Sequence, residues 1–153
     1  MLGRDYHDQN CSIARTLEPL GERWTLLIVR DAFLGVRRFE GFARKLGLAP
    51  NILSKRLATL VEAGILERRV YQDRPLRHEY TLTERGLELF PVIVALMGWG
   101  DRHLAPDGPP VRLRHRAGGG GDLDAGTRCS ICHEPADSRD AEWWWEPDSH
   151  RVA

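Results

Sequence analysis

Residues 39–63 read FEGFARKLGLAPNILSKRLATLVEA, and their pattern is the main indication of the fold. Its apolar residues recur every three or four positions on both sides of residues 47–49, which indicates two amphipathic helices joined by a tight turn. Pro50 suits the first turn of the second helix, where its missing N–H costs nothing. Two consecutive helices with so short a connection are typical of the helix-turn-helix motif, whose second helix enters the major groove of DNA.

A basic hairpin is predicted directly after this motif. Residues 65–71 and 77–83 are short strand-like runs, separated by a polar turn that contains proline. A hairpin in this place is the wing of a winged helix. The other predicted elements are helices over residues 10–20, 22–34 and 84–104, the last with a kink at Pro91.

The predicted fold class is therefore mainly α with a small β-hairpin wing, a dimeric winged helix-turn-helix. Residues 1–106 form the DNA-binding and dimerisation domain. Residues 107–153 form a C-terminal appendage with a glycine-rich linker, a C-x-x-C motif and an acidic, tryptophan-rich tail.

The charge of the 153-residue chain sums to zero but is unevenly distributed. Residues 35–77 carry ten basic and four acidic residues, a net charge of +6, whereas residues 122–153 carry −5. A local positive field is what phosphate binding requires, and the acidic tail is expected to compete with DNA for it. No apolar run approaches the ~20 residues of a membrane span. Without an N-terminal apolar signal segment either, a cytoplasmic protein is expected.

Several short motifs occur in a fixed order along the chain. They are CSIA (11–14), GERWT (21–25), GVRRF (35–39), LSKRL (53–57), EYTLT (79–83), Gly86 and Trp99-Gly100. Together they resemble the HxlR family of bacterial winged-helix transcription regulators, over roughly residues 8–104. The resemblance implies a MarR-like homodimer that binds a palindromic operator in double-stranded DNA, usually as a repressor. It also implies release or modulation by a redox or electrophile signal, or by a small apolar effector.

The predicted DNA-contacting residues lie on the second helix of the motif and around the hairpin. With Leu53, Leu57 and Leu60 facing inward, Asn51 and Lys55 are placed to reach base edges. Ser54 and Arg56 flank that face and suit phosphates, Thr59 lies nearby, and Arg74 at the hairpin tip suits a minor groove.

Further phosphate contacts are predicted outside this helix. Arg37 and Arg38 precede the motif and Arg77 follows the hairpin tip, although Arg38 could equally pair with an acidic neighbour. Arg68 and Arg69 are adjacent on a strand, so only one of them can face DNA.

The long helix carries an apolar stripe of Leu87, Phe90, Val94 and Met97. In a single small domain such a stripe can be core. In the fold that the resemblance implies, it is a dimer contact together with the first helix.

Cys11 starts the first helix, where the helix dipole favours a thiolate, with Arg4 or Arg15 as further support. Some members of the HxlR family use a cysteine at this position to sense oxidants or electrophiles. The alternative is a small half-buried residue that packs the helix.

Cys129 and Cys132 form a single C-x-x-C motif. With His115 and His133 they offer four zinc ligands, although adjacent Cys132 and His133 are strained for simultaneous binding. A metal-free hairpin and a redox dithiol remain open, and no cofactor is required by the rest of the sequence.

Trp143, Trp144 and Trp145 are expected either to pack the tail or to cover a pocket for an apolar effector. An enzyme is not predicted, because Gly118 to Gly121 lack the context of a phosphate-binding loop and no catalytic triad stands out. A winged-helix adaptor for proteins and a thiol or zinc protein are the competing classes.

Overall fold

The computed structural model describes Tyr6, residues 10–117 and residues 119–145. The chain forms two compact units, Met1–Leu87 and Glu88–Ala153. The sequence placed the boundary after residue 106, whereas the structure assigns the last long helix to the C-terminal unit. Within the described residues, no helix has the length and apolar character needed to cross a membrane.

The N-terminal unit contains four helices, a hairpin and one short helical turn. In chain order these are α1 (Ser12–Leu20), α2 (Thr25–Phe33), α3 (Phe39–Leu46), α4 (Pro50–Glu62), β1 (Leu66–Asp73), β2 (Leu76–Leu82) and α5 (Glu84–Leu87). The mainly α winged helix-turn-helix predicted from the sequence is confirmed.

The α3–turn–α4 motif is fixed by a glycine and by a leucine stripe. Gly47 ends α3 with φ +61°, a left-handed conformation that glycine adopts without a steric penalty. Ala49 is extended and supplies no side-chain cap to α4, while Pro50 occupies the first turn. Leu53, Leu57 and Leu60 are fully buried, which fixes the face that α4 turns to solvent. Other buried residues of this core are Ile28, Val29, Phe42, Ile65 and Leu66.

The wing pairs β1 with β2 from Leu66↔Leu82 to Asp73↔Leu76, with a bulge between Val70 and Gln72. Arg74 and Pro75 form the tip and are joined by a cis peptide bond. The hairpin base is tied to the end of α4, because the Thr83 hydroxyl donates to the Gly64 carbonyl (2.6 Å). The same hydroxyl accepts from the backbone N–H of Gly86 (3.0 Å).

The sequence did not predict a third strand segment in the wing. The backbone N–H of Tyr80 donates to the Arg37 carbonyl (2.7 Å), and Arg38 forms an isolated antiparallel bridge with Glu79. The residues that lead into α3 are therefore bonded to β2, which holds the hairpin and the helix-turn-helix in one frame.

The C-terminal unit begins with α6 (Phe90–His103) and continues with β3 (Val111–His115) and β4 (Ala141–Trp145). The predicted helix over residues 84–104 is broken rather than kinked. Residues 88 and 89 form a turn and Pro91 lies in the first turn of α6, because proline inside a longer helix would lose one hydrogen bond and clash with the preceding turn. Strands β3 and β4 pair antiparallel from Val111↔Trp145 to His115↔Ala141.

Candidate nucleic-acid interface

The outer face of α4 presents the predicted base-reading residues to solvent. Asn51, Ser54 and Lys55 are all exposed, opposite the buried leucines. Thr59 is half-buried, and its hydroxyl donates to the Lys55 carbonyl (3.1 Å) within the helix. Asn51 and Lys55 lie in the first two turns of α4, the part of such a helix that meets base edges.

Arg56 is the α4 residue of the predicted set whose charge is paired in the structure. Its guanidinium is bonded to the Glu22 carboxylate (2.7 Å), and only 16% of the side chain is exposed. The Arg56 charge is therefore already paired and largely covered in the DNA-free chain, and the phosphate contact by Arg56 stays a prediction. Glu22 lies in the segment between α1 and α2, so the pair fastens α4 to that segment.

The wing adds exposed cations beside α4. Arg74 at the tip and Arg77 on β2 are both exposed, and within the part of the chain that the structure describes neither forms an ion pair. On β1, Arg69 pairs with Glu67 (2.6 Å), whereas Arg68 turns toward α4. Arg68 lines an open groove of about 570 Å³, together with Ser54, Ala58, Val61, Glu62 and Tyr80.

Arg37 and Arg38 are exposed at the strand segment that precedes α3. The Arg38 guanidinium lies over the ring of Tyr71 at 4.5 Å from its centroid. This cation–π contact takes the place of the acidic partner considered for Arg38, which forms no ion pair with any residue that the structure describes. We give the name DNA face to the exposed polar and basic residues described above: Arg37, Arg38, Asn51, Ser54, Lys55, Arg68, Arg74 and Arg77.

The stripe predicted as a dimer contact is only partly accessible. Phe90 and Val94 are 2% and 1% exposed, so in this chain they are core residues and not a surface that a partner reaches. Leu87 and Met97 are half-buried. Helix α6 turns a different apolar set to solvent, namely Val92, Leu96 and Trp99.

Cys11 is exposed and occupies the N-cap position of α1 in an extended conformation. The backbone N–H groups of Ala14 and Ile13, in the first turn of α1, lower the pKa of its thiol below the usual value. Arg15 donates instead to the Asn10 side chain (2.8 Å), and Arg4 lies outside the described residues. The thiolate of Cys11 is therefore favoured by the helix N-terminus itself.

The C-terminal unit brings His115, Cys129 and Cys132 together. Their ligand atoms all lie within 4.8 Å of one another, and Nδ1 of His115 is 3.3 Å from Sγ of Cys132. A hydrogen bond from the Cys132 backbone lowers the pKa of the Cys129 thiol to about 7, although burial raises it. His133 does not join this cluster of described residues. His133 has a φ of +60° at the end of the C-x-x-C turn, and the structure brings together only the other three of the four predicted ligands.

The tryptophan run is part of strand β4. Trp143 is half-buried, and the Arg114 guanidinium lies 4.3 Å from the ring centroid of Trp144. Asp122 of the acidic tail pairs with Arg112 (3.0 Å) and Arg114 (3.4 Å). Part of the tail charge is thus neutralised within its own unit, and residues 146–153 lie outside the described residues.

Known proteins resemble this chain in both sequence and structure. The model of the HxlR-like helix-turn-helix matches residues 19–108. The uncharacterised HTH-type transcriptional regulator Mb3122 of Mycobacterium bovis is 51% identical over 129 residues, which cover 84% of this chain and 81% of the relative. The crystal structure of PA1607, assigned as a transcription factor, superposes with a TM-score of 0.70 at 40% identity, covering 89% of this chain and 96% of that chain. The redox regulator HypR in its reduced form superposes with a TM-score of 0.58 at 29% identity, covering 62% and 95%.

Proposed function

This chain belongs to the HxlR-like helix-turn-helix family and is a transcriptional regulator of the winged-helix type, and we propose that it acts as a repressor that binds a palindromic operator as a homodimer. Helix α4 enters the major groove, and Arg74 at the wing tip enters the adjacent minor groove. A dimer presents two α4 helices about one duplex turn apart, which matches the symmetry of a palindrome.

The observation that carries the proposal is the DNA face itself. Its base-reading and phosphate-binding groups are exposed on one frame, with Asn51 and Lys55 backed by a fully buried leucine stripe. Polar and cationic side chains on a rigid helix are what base-edge recognition requires.

The test is binding of the full chain to a fragment of its own promoter, followed by fluorescence anisotropy. We expect Lys55→Ala to reduce discrimination between the operator and single-base variants by about 10-fold or more, since a good base contact contributes about 1–3 kcal/mol. Lys45→Ala removes the same charge from α3, outside the DNA face, and is expected to leave this discrimination unchanged. If both variants retain the full preference of the parent protein, α4 does not read the bases.

We further propose that Cys11 makes binding sensitive to oxidants. The support is its exposed N-cap position, its lowered pKa and the likeness to HypR, a redox regulator. In the proposed step the Cys11 thiolate attacks one oxygen of hydrogen peroxide and the O–O bond breaks, which gives a sulfenic acid and a hydroxide ion that takes a proton from solvent to become water. The polar product at the start of α1 then shifts the dimer away from its DNA-binding form.

Peroxide treatment of the protein–operator complex tests this step. We expect release from the parent protein and no release from Cys11→Ser. Cys132→Ser, which removes the other exposed thiol, is the matched control and should respond like the parent. An equal response of Cys11→Ser and the parent protein would exclude Cys11 as the sensor.

A further inference from the structure

We propose that His115, Cys129 and Cys132 bind one zinc ion in the C-terminal unit, as a three-ligand site whose fourth position is open to water or another small ligand. The inference does not depend on DNA binding. Two thiolates and one imidazole form a donor set that zinc uses in proteins.

The distances between the three side chains fit one ion. Zinc binds cysteine sulfur at about 2.3 Å and histidine nitrogen at about 2.0 Å, so tetrahedral coordination separates sulfur from nitrogen by roughly 3.5 Å. Nδ1 of His115 and Sγ of Cys132 are 3.3 Å apart, and no pair in the cluster exceeds 4.8 Å. Small side-chain rotations therefore suffice to place all three atoms around one metal.

The backbone holds the cluster in place before any metal binds. His115 ends β3, and its N–H donates to the Gly121 carbonyl (2.8 Å). Cys129 donates its N–H to the Glu134 carbonyl (3.0 Å) and accepts the N–H of His133 on its own carbonyl (3.0 Å). The C-x-x-C segment is thus a closed turn, and it points both sulfurs to one side.

Two details show that the turn is built around the Cys129 sulfur. The backbone N–H of Ile131 donates to Sγ of Cys129 (3.4 Å), an arrangement that favours a thiolate. A side chain at Gly121 would place its Cβ 2.6 Å from the same sulfur. Glycine at this position leaves the sulfur its space.

The site is incomplete by the standard of a structural zinc site, which has four protein ligands. Within residues 10–117 and 119–145, no fourth His, Cys, Asp or Glu joins the cluster. His133 is excluded because it follows Cys132 directly and lies in the left-handed conformation that ends the turn. Cys132 is exposed, so the fourth corner of a tetrahedron is reachable from solvent. Three protein ligands and an open corner are the arrangement that lets a zinc ion take up a further ligand.

The experiment uses the full chain in reduced, metal-free form. Co²⁺ is added first as the spectroscopic probe, and Zn²⁺ is then added to displace it. We expect thiolate-to-cobalt absorption that saturates at one Co²⁺ per chain and is abolished by one equivalent of Zn²⁺. Cys132→Ser removes an exposed ligand and should lower the zinc affinity about 100-fold or more, while His133→Ala, the matched control, should leave it unchanged. His115→Ala should match Cys132→Ser, and far-ultraviolet circular dichroism checks that this buried substitution leaves the protein folded.

Alkylation mapped by mass spectrometry is a second, independent readout. With Zn²⁺ present, Cys129 and Cys132 should be protected and Cys11 should still react. The proposal is overturned if Cys132→Ser binds zinc as tightly as the parent, if His133→Ala loses as much affinity as His115→Ala, or if Zn²⁺ protects none of the cysteines.

Discussion

Removing the guanidinium at the wing tip, by Arg74→Ala, should weaken operator binding by an amount that can be worked out from its position. Arg74 is exposed and, within the described residues, forms no ion pair that its loss would disturb, so the effect falls on DNA and not on folding. Each phosphate neutralised adds about 0.9 to the slope of log K against log salt concentration. At 0.15 M salt the corresponding counterion release contributes about 1 kcal/mol, so two wing tips per dimer contribute about 2 kcal/mol, or roughly 30-fold in affinity.

The assay is a salt titration of operator affinity by fluorescence anisotropy. For Arg74→Ala we expect a slope flatter by about 2 and a weaker affinity for specific and non-specific DNA alike. Arg69→Ala removes the same charge from the same hairpin, but that arginine is paired with Glu67, so its slope should change by less than about 0.5. The reasoning fails if Arg74→Ala keeps the slope of the parent, or if Arg69→Ala flattens it equally.

Two further substitutions and one alkylation measurement test other parts of the structure. Leu57→Ala, at a site 1% exposed, should lower the free energy of unfolding by about 2–5 kcal/mol in urea denaturation; a loss below 1 kcal/mol would mean that the helix-turn-helix core is not packed as described. Arg56→Gln should cost about 1 kcal/mol of stability through loss of the pair with Glu22, and should leave the salt slope of DNA binding unchanged. The pKa of Cys11 is lowered, so alkylation of this thiol by iodoacetamide should rise with pH at a midpoint below that of the same cysteine in the urea-unfolded chain. An unshifted midpoint would contradict the helix N-terminal effect.

The helix-turn-helix could be predicted because its signals are local. The leucines of α4 recur every three or four residues, and the glycine and proline between α3 and α4 act on their own backbone conformation. The wing hairpin is readable for the same reason, since its two strands are neighbours in sequence.

The contacts that the sequence analysis did not predict join residues that are distant in sequence. Arg56 and Glu22 are 34 positions apart, and nothing in the periodicity of α4 distinguishes Arg56 from its exposed neighbour Lys55. The bridge between Arg38 and Glu79 is missed because one bonded residue is too short a signal for a strand. Helix α6 carries apolar residues on both its buried and its exposed faces, so their spacing alone could not distinguish buried Phe90 from exposed Leu96.

In the C-terminal unit the sequence named four candidate ligands, and the structure brings three of them together. The C-x-x-C spacing identified Cys129 and Cys132, and β3 and its turn bring His115 to them. His133 was equally attractive in sequence, but the left-handed conformation that closes the turn is a property of the folded backbone.

Gly98 of helix α6 lies against the C-terminal extension. A Cβ at Gly98 would lie 2.8 Å from the Cβ of Ala125, so the loop of the C-terminal unit rests directly on the helix backbone at this point. In a chain that stopped at the end of α6, the same glycine would only weaken the helix, by about 1 kcal/mol relative to alanine. Gly98 is therefore the residue of α6 that lets the Ala125 loop lie against the helix in this chain. Cutting the chain at residue 106 would likewise strip a packed surface from α6 instead of trimming a separate tail.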